Sequence, residues 1–282
     1  MKTTLLLMAA QHGAWRISMG LVVAAAIFMH HNATAVEVGL GTANNFAVLA
    51  GSTVTSANTS IINGGDVGLS PGTSITGPII INPPYTTHVP DGVAQQAQND
   101  LTTAYNEAAG LAPTATLTGT DLGGLTLTPG VYFFSSSAQL TGTLTLNDQG
   151  NPDAVFVFQI GSTLTTASGS KVVTINDPAT AGISVFWQIG SSATLGTGTD
   201  FEGNILAQTS ITDNGGSTVE GRLLAETGAV TLNDTTLTAP PAEVISGGGG
   251  TVPDTGSTMF MLGLGLAGLL ASRPFLRGNA VA

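Results

Sequence analysis

The chain has 282 residues and a formal net charge of −11, yet only 8% of its residues are charged and none is cysteine. Six basic residues are too few to follow a phosphate backbone or an anionic lipid surface, which argues against nucleic acid and lipid as partners. The lack of cysteine excludes disulfides, thiolate metal sites and a cysteine nucleophile. Abundant glycine between regularly recurring Val, Ile, Leu and Phe predicts an all-β repeat protein.

The first 35 residues have the layout of an export signal. Lys2 and Arg16 precede an apolar run, Met19 to Met29, and the small-x-small sequence Ala33-Thr34-Ala35 follows it. This pattern predicts a secretory signal peptide that is cleaved after Ala35. An uncleaved membrane anchor is the alternative, although the apolar run is short for a membrane span.

Four segments in the second half of the chain align with one another and predict a repeat. The last three recur about every 18 to 19 residues, as the pairs Glu202-Gly203 and Glu220-Gly221 show. The first segment is offset by an insertion around Asn176 to Gly182. The aligned segments are 155–165, 184–194, 203–212 and 221–231. Such a period, with three short strands per turn, is typical of the coils of a β-solenoid.

Each predicted coil contains three strand-like pieces with different patterns. The first is apolar on consecutive residues, as in Val155 to Phe158, which indicates a strand buried on both sides. The second alternates, so that Leu164 and Ile211 point inward and the threonines beside them point outward. The third has Lys171 and Glu202 at outward positions, which predicts a charged and hydrated face.

One helix is predicted in the mature chain, from about residue 91 to residue 110. We predict Asp91 as its N-cap and Gly110 as its C-cap. Apolar residues at i, i+3, i+4 spacing form one stripe. They are Val93, Ala94, Ala97, Leu101, Ala104, Tyr105 and Ala108. We expect this stripe to pack on the apolar strands, because those strands would otherwise expose their outer side.

The C-terminal region has the layout of a second targeting signal. A glycine run, Gly247 to Gly250, is followed by Val252 to Ser257, an apolar stretch from Met259 to Ala271, and two arginines. This layout resembles the signals that bacterial exosortases read, and Val-Pro-Asp-Thr-Gly is similar to their Val-Pro-Asp-Ser-Gly variant. Sortase signals share this layout but begin with Leu-Pro-x-Thr-Gly, and this chain departs from them because its first motif residue is Val252. A plain C-terminal membrane anchor is the alternative. We therefore predict a solenoid domain over 36–240, a linker over 241–251 and a sorting signal over 252–282.

The mature domain resembles the microbial ice-binding protein family, over about residues 38 to 238. The resemblance lies in the order of several short segments along the chain. They are Phe46 to Thr55, Gly64 to Gly72, the Ala-rich helix, Leu127 to Tyr132, Val185 to Gly190, Gly203 to Ala207 and Gly221 to Ala225. The family implies a discontinuous β-solenoid with a flanking α-helix, in which the N-terminal coils stack on the C-terminal ones. It also implies binding to ice crystals, with inhibition of ice growth and recrystallisation.

Ice presents a flat, periodic and uncharged array of hydroxyl-like sites, so a rigid strand face of regularly spaced threonines is a suitable complement. Threonine is also common on solvent-facing strands simply for its β-propensity, but a column of threonines across coils favours a binding face. We expect Asp213 to roughen this face, because an apolar residue should follow Thr212. The candidate residues are Thr53, Thr55, Thr143, Thr145, Thr163, Thr165, Ser192, Thr194, Ser210, Thr212 and Thr231.

Little in the mature sequence suggests catalysis, and we expect neither an enzyme nor a metal or other cofactor. Three of the four histidines lie in the predicted signal region, which leaves His88 in a proline-rich loop. Asp148, Asp153 and Asp177 lie near predicted turns, where aspartate usually bends the backbone. A cell-surface adhesin or matrix protein without ice activity is the alternative function, and a polysaccharide enzyme is a distant third. We expect an exported monomer whose partners are the ice surface and, at the C-terminus, a sorting enzyme.

Overall fold

The structure is a computed structural model that describes residues 38–178 and 184–241. The predicted signal peptide, part of the insertion after Asn176 and the sorting signal lie outside these residues. The described part of the chain contains a 3₁₀-helix, Gly41–Asn45, one α-helix and 22 short strands. None of its helices combines the length and apolarity needed to cross a membrane.

The strands are two to eight residues long and alternate with turns. In the N-terminal part they are β1 (Phe46–Ala50), β2 (Thr53–Ser56), β3 (Ser60–Asn63), β4 (Asp66–Leu69), β5 (Ser74–Thr76), β6 (Ile79–Ile81) and β7 (Thr87–His88). The helix α1 (Gly92–Gly110) follows. After it come β8 (Ala115–Thr116), β9 (Thr126–Leu127), β10 (Gly130–Phe134), β11 (Ala138–Leu140), β12 (Thr143–Asn147), β13 (Phe156–Ile160), β14 (Leu164–Thr166) and β15 (Lys171–Ile175). The last are β16 (Val185–Ile189), β17 (Ala193–Leu195), β18 (Asp200–Ala207), β19 (Ile211–Asp213), β20 (Thr218–Ala225), β21 (Val230–Leu232) and β22 (Thr236–Thr238).

Parallel pairing between successive coils stacks these strands into three faces, which confirms the predicted β-solenoid. The helix-covered face has the order β7-β4-β1-β20-β18-β16-β13-β10-β8. The threonine face has the order β11-β14-β17-β19-β21-β2-β5. The third face has the order β6-β3-β22-β20-β18-β15-β12-β9. Strands β18 and β20 bend at Gly203 and Gly221 and so contribute to both the third and the helix-covered face.

The winding of the chain is interrupted, as the family resemblance implied. The coil β1–β2–β3 pairs with the last coil of the chain, since β1 lies beside β20, β2 beside β21 and β3 beside β22. The register places Val48 opposite Leu223 and Val54 opposite Val230. The helix connects the N-terminal coils to the coil at the far end of the stack, from which the chain winds back.

The interior of the solenoid is apolar and contains a short aromatic ladder. Tyr132, Phe158 and Trp187 occupy the same register on neighbouring strands of the helix-covered face. The rings of Phe158 and Trp187 are stacked with centroids 3.9 Å apart, and Phe201 packs on Trp187 at 5.1 Å. All four side chains are buried, so the ladder links coils within one continuous core.

Helix α1 packs on the outer side of the apolar strands, as predicted. The Asp91 side chain accepts hydrogen bonds from the backbone N–H groups of Val93 and Ala94, at 3.0 and 2.8 Å, which confirms it as the N-cap. Leu101 is fully buried against a cluster that includes Leu206 from the sheet. Ala94, Ala97, Ala104 and Ala108 are also buried. Val93 was wrongly included in the stripe, because it lies in the first turn with 49% of its surface exposed.

The predicted C-cap was also wrong. Gly110 is the last helical residue and Leu111 is the C-cap, with extended backbone at φ −68° and ψ 142°. The buried Gln159 side chain donates hydrogen bonds to the carbonyl oxygens of Ala108 and Leu111, both at 2.8 Å. A glutamine from β13 therefore satisfies helix-terminal carbonyls that a left-handed glycine would otherwise help to satisfy.

Candidate functional site

The threonine face is a seven-stranded parallel sheet of short strands that keep a continuous register. Its side chains alternate between the interior and the outside, so that Thr165, for example, points outward between the buried Leu164 and Thr166. Inward residues such as Leu164, Ile211 and Val230 are fully buried. Burial of these inward residues fixes the register, because a shift by one residue would turn their apolar side chains to solvent.

One outward column of this face consists of six threonines, with Gln139 of β11 continuing it at one end. The paired residues, from coil to coil, are Thr165, Thr194, Thr212, Thr231, Thr55 and Thr76. The hydroxyl of Thr55 donates to that of Thr231 at 3.3 Å. With a spacing of ~4.8 Å between parallel strands, the six hydroxyls extend over roughly 24 Å. We call this set the threonine column.

A second outward column lies two residues earlier on each strand and is less regular. Pairing of the strands aligns Thr163, Ser192, Ser210, Ala229, Thr53 and Ser74. The Ser192 hydroxyl accepts a hydrogen bond from the Ser210 N–H at 3.3 Å, and the Ser210 hydroxyl accepts one from the Ala229 N–H at 3.2 Å. The hydroxyls of these two serines therefore connect adjacent coils. Because the second column mixes threonine, serine and alanine, the threonine column is the more uniform array.

Two of the predicted site residues lie elsewhere. Thr143 and Thr145 belong to β12, which pairs with β15 and β9 on the third face. The chain leaves β11 of the threonine face at Leu140 and turns at Gly142, whose φ is 91°. Both threonines follow this turn, so they cannot join the column, although the Thr-x-Thr pattern looks the same in sequence.

The outward residues of the threonine face that sequence reasoning missed include Ser74 and Thr76. Ser74 pairs with Thr53, and Thr76 pairs with Thr55, in the coil that β5 contributes at the end of the stack. The segment Ser74-Ile75-Thr76 has the same hydroxyl–apolar–threonine pattern as Thr53-Val54-Thr55. That repeated pattern was the signal available, and it extends the column by one coil.

Asp213 does not roughen this face, contrary to expectation. Its side chain points inward and is only 2% exposed. One carboxylate oxygen accepts hydrogen bonds from the Ser217 hydroxyl at 2.5 Å and the Gly215 N–H at 3.1 Å, and the other accepts from the Thr235 hydroxyl at 2.5 Å. Asp213 is thus a buried acceptor that closes the turn of its own coil and ties it to the next coil through Thr235, at the corner between the threonine and third faces.

Charged side chains lie at the ends of the threonine face or on other faces. Both outward columns are uncharged, and Asp121 lies next to Gln139 at the far end of the sheet. The third face contains the ion pair between Lys171 and Asp200, together with Glu202, as predicted. Burial raises the pKa of Glu202, and the nearby Glu220 carboxylate raises it further. Among the described residues, these charged groups therefore lie away from the threonine column.

The remaining titratable groups in the described ranges do not form a metal-binding cluster. His88 Nδ1 lies 2.8 Å from Asp91 Oδ2, and the imidazole ring packs edge-on against Phe46, so it holds the helix N-terminus to the sheet. Burial, with a contribution from the Asp177 charge, raises the pKa of Asp148 to about 6. Among residues 38–178 and 184–241, no three His, Cys, Asp or Glu side chains are grouped so that they could hold a metal ion.

Comparison with known families gives two matches. Residues 48–238 match the ice-binding-like family, and residues 251–273 match the VPDSG-CTERM motif. The first match covers nearly the whole described solenoid. The second coincides with the tripartite signal recognised near the C-terminus.

Several characterised relatives are similar over most of the domain. An ice-binding protein of Nostoc sp. (strain HG1) is 54% identical over 239 residues, which cover 82% of this chain and 84% of the relative. An ice-binding protein of Colwellia sp. is 38% identical, with 72% of this chain and 84% of the relative covered.

Solved structures with the same fold support this relationship. An ice-binding protein from an Antarctic biological consortium has a TM-score of 0.67 and 47% identity, covering 72% of this chain and 91% of its own. The ice-binding protein of the Antarctic ascomycete Antarctomyces psychrotrophicus has a TM-score of 0.66 and 40% identity, covering 72% and 98%. With the three-faced, spliced solenoid and its flanking helix, these matches show that the chain belongs to the ice-binding-like family.

Proposed function

We propose that this protein binds ice crystals through its threonine face and thereby inhibits ice growth and recrystallisation. The observation that carries the proposal is the threonine column, in which six threonines on six consecutive coils share one register. The proposed contact residues are Thr165, Thr194, Thr212, Thr231, Thr55 and Thr76, flanked by Thr163, Ser192, Ser210, Thr53 and Ser74. Thr143 and Thr145 are excluded by their position on the third face.

The chemistry of threonine suits a water lattice. Each side chain presents a methyl group, which favours ordered water beside it, and a hydroxyl group, which can hydrogen-bond to that water. The β-branch restricts χ1, so little rotamer entropy remains to be lost when the crystal is bound. The same side chain repeated at ~4.8 Å gives a periodic surface, as a crystal plane requires.

The fold makes this surface stiff. The strands of the threonine face are paired on both sides except at the two ends of the sheet, and their inward residues pack in a common core. Dense packing of an apolar interior resists deformation. A face that is already ordered binds with a smaller entropic cost than one that must become ordered on contact. Stability of the solenoid thus contributes directly to the proposed binding.

Two findings support a function outside the cell: the relatives are named for binding ice, and the C-terminal motif is a sorting motif. The VPDSG-CTERM match at residues 251–273 is a sorting signal, and such a signal suits an exported protein. In our proposal the signal peptide is removed after Ala35, and a sorting enzyme processes the segment from Val252 onward. The solenoid acts as a monomer.

A recrystallisation assay on residues 36–245 tests the proposal. We expect ice grains annealed near their melting point to stay small at protein concentrations where an unrelated protein of equal mass has no effect. Fluorescently labelled protein should also adsorb to a single ice crystal and resist washing. Normal grain growth together with no adsorption would refute ice binding, whatever the fold.

A further inference from the structure

The place where the chain leaves the solenoid is well defined. After β22, the Ala239 N–H donates to the Asn63 carbonyl oxygen at 2.9 Å. The Arg222 guanidinium then donates to the Pro240 carbonyl oxygen at 2.8 Å and, through Nε, to the Asn44 carbonyl oxygen at 3.0 Å. Arg222 is only 2% exposed, so the exit is fixed by a buried side chain that also contacts the N-terminal segment.

This exit lies on the edge opposite the threonine face. Each coil runs from the helix-covered face to the threonine face, then to the third face, and back to the helix-covered face. Strand β22 belongs to the third face, and Arg222 lies in β20 just after the bend at Gly221 that leads to the helix-covered face. Pro240 is therefore at the edge shared by those two faces. In a three-sided solenoid, that edge is the one farthest from the remaining face.

The strand that leads to the exit is not an edge strand. β22 pairs with β20 on one side, through Leu237 and Val219, and with β3 on the other, through Leu237 and Ile62. In an uninterrupted solenoid the last strand of the chain would lie at the end of the stack, where it would be hydrogen-bonded on one side only and could detach more easily. Here the N-terminal coils cover it, so a pull on the C-terminus acts on a strand that is hydrogen-bonded on both sides.

The sorting signal is attached close to this exit. Residues 242–251 separate Pro241 from the Val-Pro-Asp-Thr-Gly sequence. Ten residues span at most about 35 Å even when fully extended. A domain attached to the cell through so short a connection is held near the surface by its exit edge. Attachment at this edge leaves the threonine face, on the opposite side, free to meet ice in front of the cell.

We propose that the protein works while attached to the cell through its C-terminal segment, with the threonine face turned outward, so that it fastens the cell to ice. This inference rests on the proposed ice binding and adds the attachment and the orientation. The Arg222 contacts and the central position of β22 resist the force that an adhering cell would place on the exit.

The first experiment uses cells that produce and process the full chain, exposed to a slowly growing ice front. We expect the ice to capture many more of these cells than cells without the protein. Thr212→Tyr should abolish capture. A chain that stops after residue 251 should release ice activity into the medium and leave the cells uncaptured. If processed protein binds ice but the producing cells are not captured, the attachment is refuted and ice binding stands. If processed protein does not bind ice, the proposed function itself fails.

The second experiment tests orientation and uses the absence of natural cysteine. The processed protein, carrying either Ala242→Cys or Thr209→Cys, is coupled to beads by its single thiol. Thr209 is exposed on the edge between the helix-covered and threonine faces. We expect beads coupled at residue 242 to be captured by ice at least tenfold more than beads coupled at Thr209. Both uncoupled proteins should bind ice equally. Equal capture of the two bead types would overturn the proposed orientation.

Discussion

Replacing Thr212 with tyrosine tests the threonine column at its centre. Thr212 lies between Thr194 and Thr231 on the adjacent coils. Its side chain points outward, so a tyrosine ring would stand above the neighbouring hydroxyls. The ring and its hydroxyl would rise above those hydroxyls by at least the van der Waals contact distance of about 3.5–4.0 Å. The backbone would not need to move.

The size of the effect follows from that height. Van der Waals contact is lost once atoms separate well beyond about 3.5–4.0 Å. A step of the expected height therefore lifts Thr194 and Thr231 off a flat crystal plane, and a stiff sheet cannot bend to recover them. We expect at least a tenfold loss of affinity for ice, which is about 1.4 kcal/mol. The free energy of unfolding should change by no more than about 0.5 kcal/mol, because the substituted side chain remains in solvent.

The assay compares Thr212→Tyr with Thr218→Tyr, in recrystallisation and in adsorption to single crystals. Thr218 is exposed on the third face, where it pairs with Asp200 and Thr236. The control should retain full activity, and both variants should melt at the temperature of the parent protein. Loss of activity in Thr218→Tyr, with Thr212→Tyr unaffected, would show that ice contacts the third face. Loss in both with lowered melting temperatures would show that the fold, and not the surface, had been tested.

Other predictions concern stability and processing. Leu101→Asp should destabilise the domain by several kcal/mol, because it places a charge against the buried strands, whereas Thr103→Asp on the exposed side of α1 should leave the melting temperature nearly unchanged. Asp213→Ala should cost about 2–4 kcal/mol in chemical denaturation, since it leaves the buried Ser217 and Thr235 hydroxyls without this acceptor. The folded protein holds the Asp148 proton more tightly than the unfolded chain, because its pKa is raised to about 6, so its contribution to stability is greatest below pH 4 and is lost as the pH rises through 6. Asp148→Asn should flatten that pH dependence and raise stability at pH 8 by at most about 3 kcal/mol. Intact-mass measurement of exported protein should show a start at residue 36 and the loss of the segment after about residue 252. A full-length C-terminus would contradict sorting.

Much of the fold could be predicted from local patterns, because a solenoid coil is stabilised by its nearest neighbours. The consecutive apolar residues of β13 and β16 indicated burial on both sides, and the stripe on α1 supplied the cover that this required. Alternation around Leu164 and Ile211 identified the strands of the threonine face. The helix N-cap at Asp91 also depends only on residues within one turn.

The candidate site was predicted less completely, because membership of a face depends on where the chain turns. Thr143-Leu-Thr145 and Thr163-Leu-Thr165 share one sequence pattern, yet Gly142 places the first on the third face. Asp213 shows a different difficulty. A carboxylate beside an outward threonine suggested exposure, whereas two donors from its own turn and one from the next coil make its burial possible.

By itself the sequence determined the repeat, the inward and outward alternation and the presence of one covering helix, since each arises from contacts within a coil or between adjacent coils. The residues did not by themselves determine that Thr76 and Thr55 continue the column begun by Thr165, because these residues lie far apart along the chain. Only pairing of β2 with β21 brings them into one array. Only the same splice places β22 inside the stack and the C-terminal exit opposite the threonine face. Both follow from hydrogen bonds between the two ends of the domain, and such long-range pairing has no local signature in the chain.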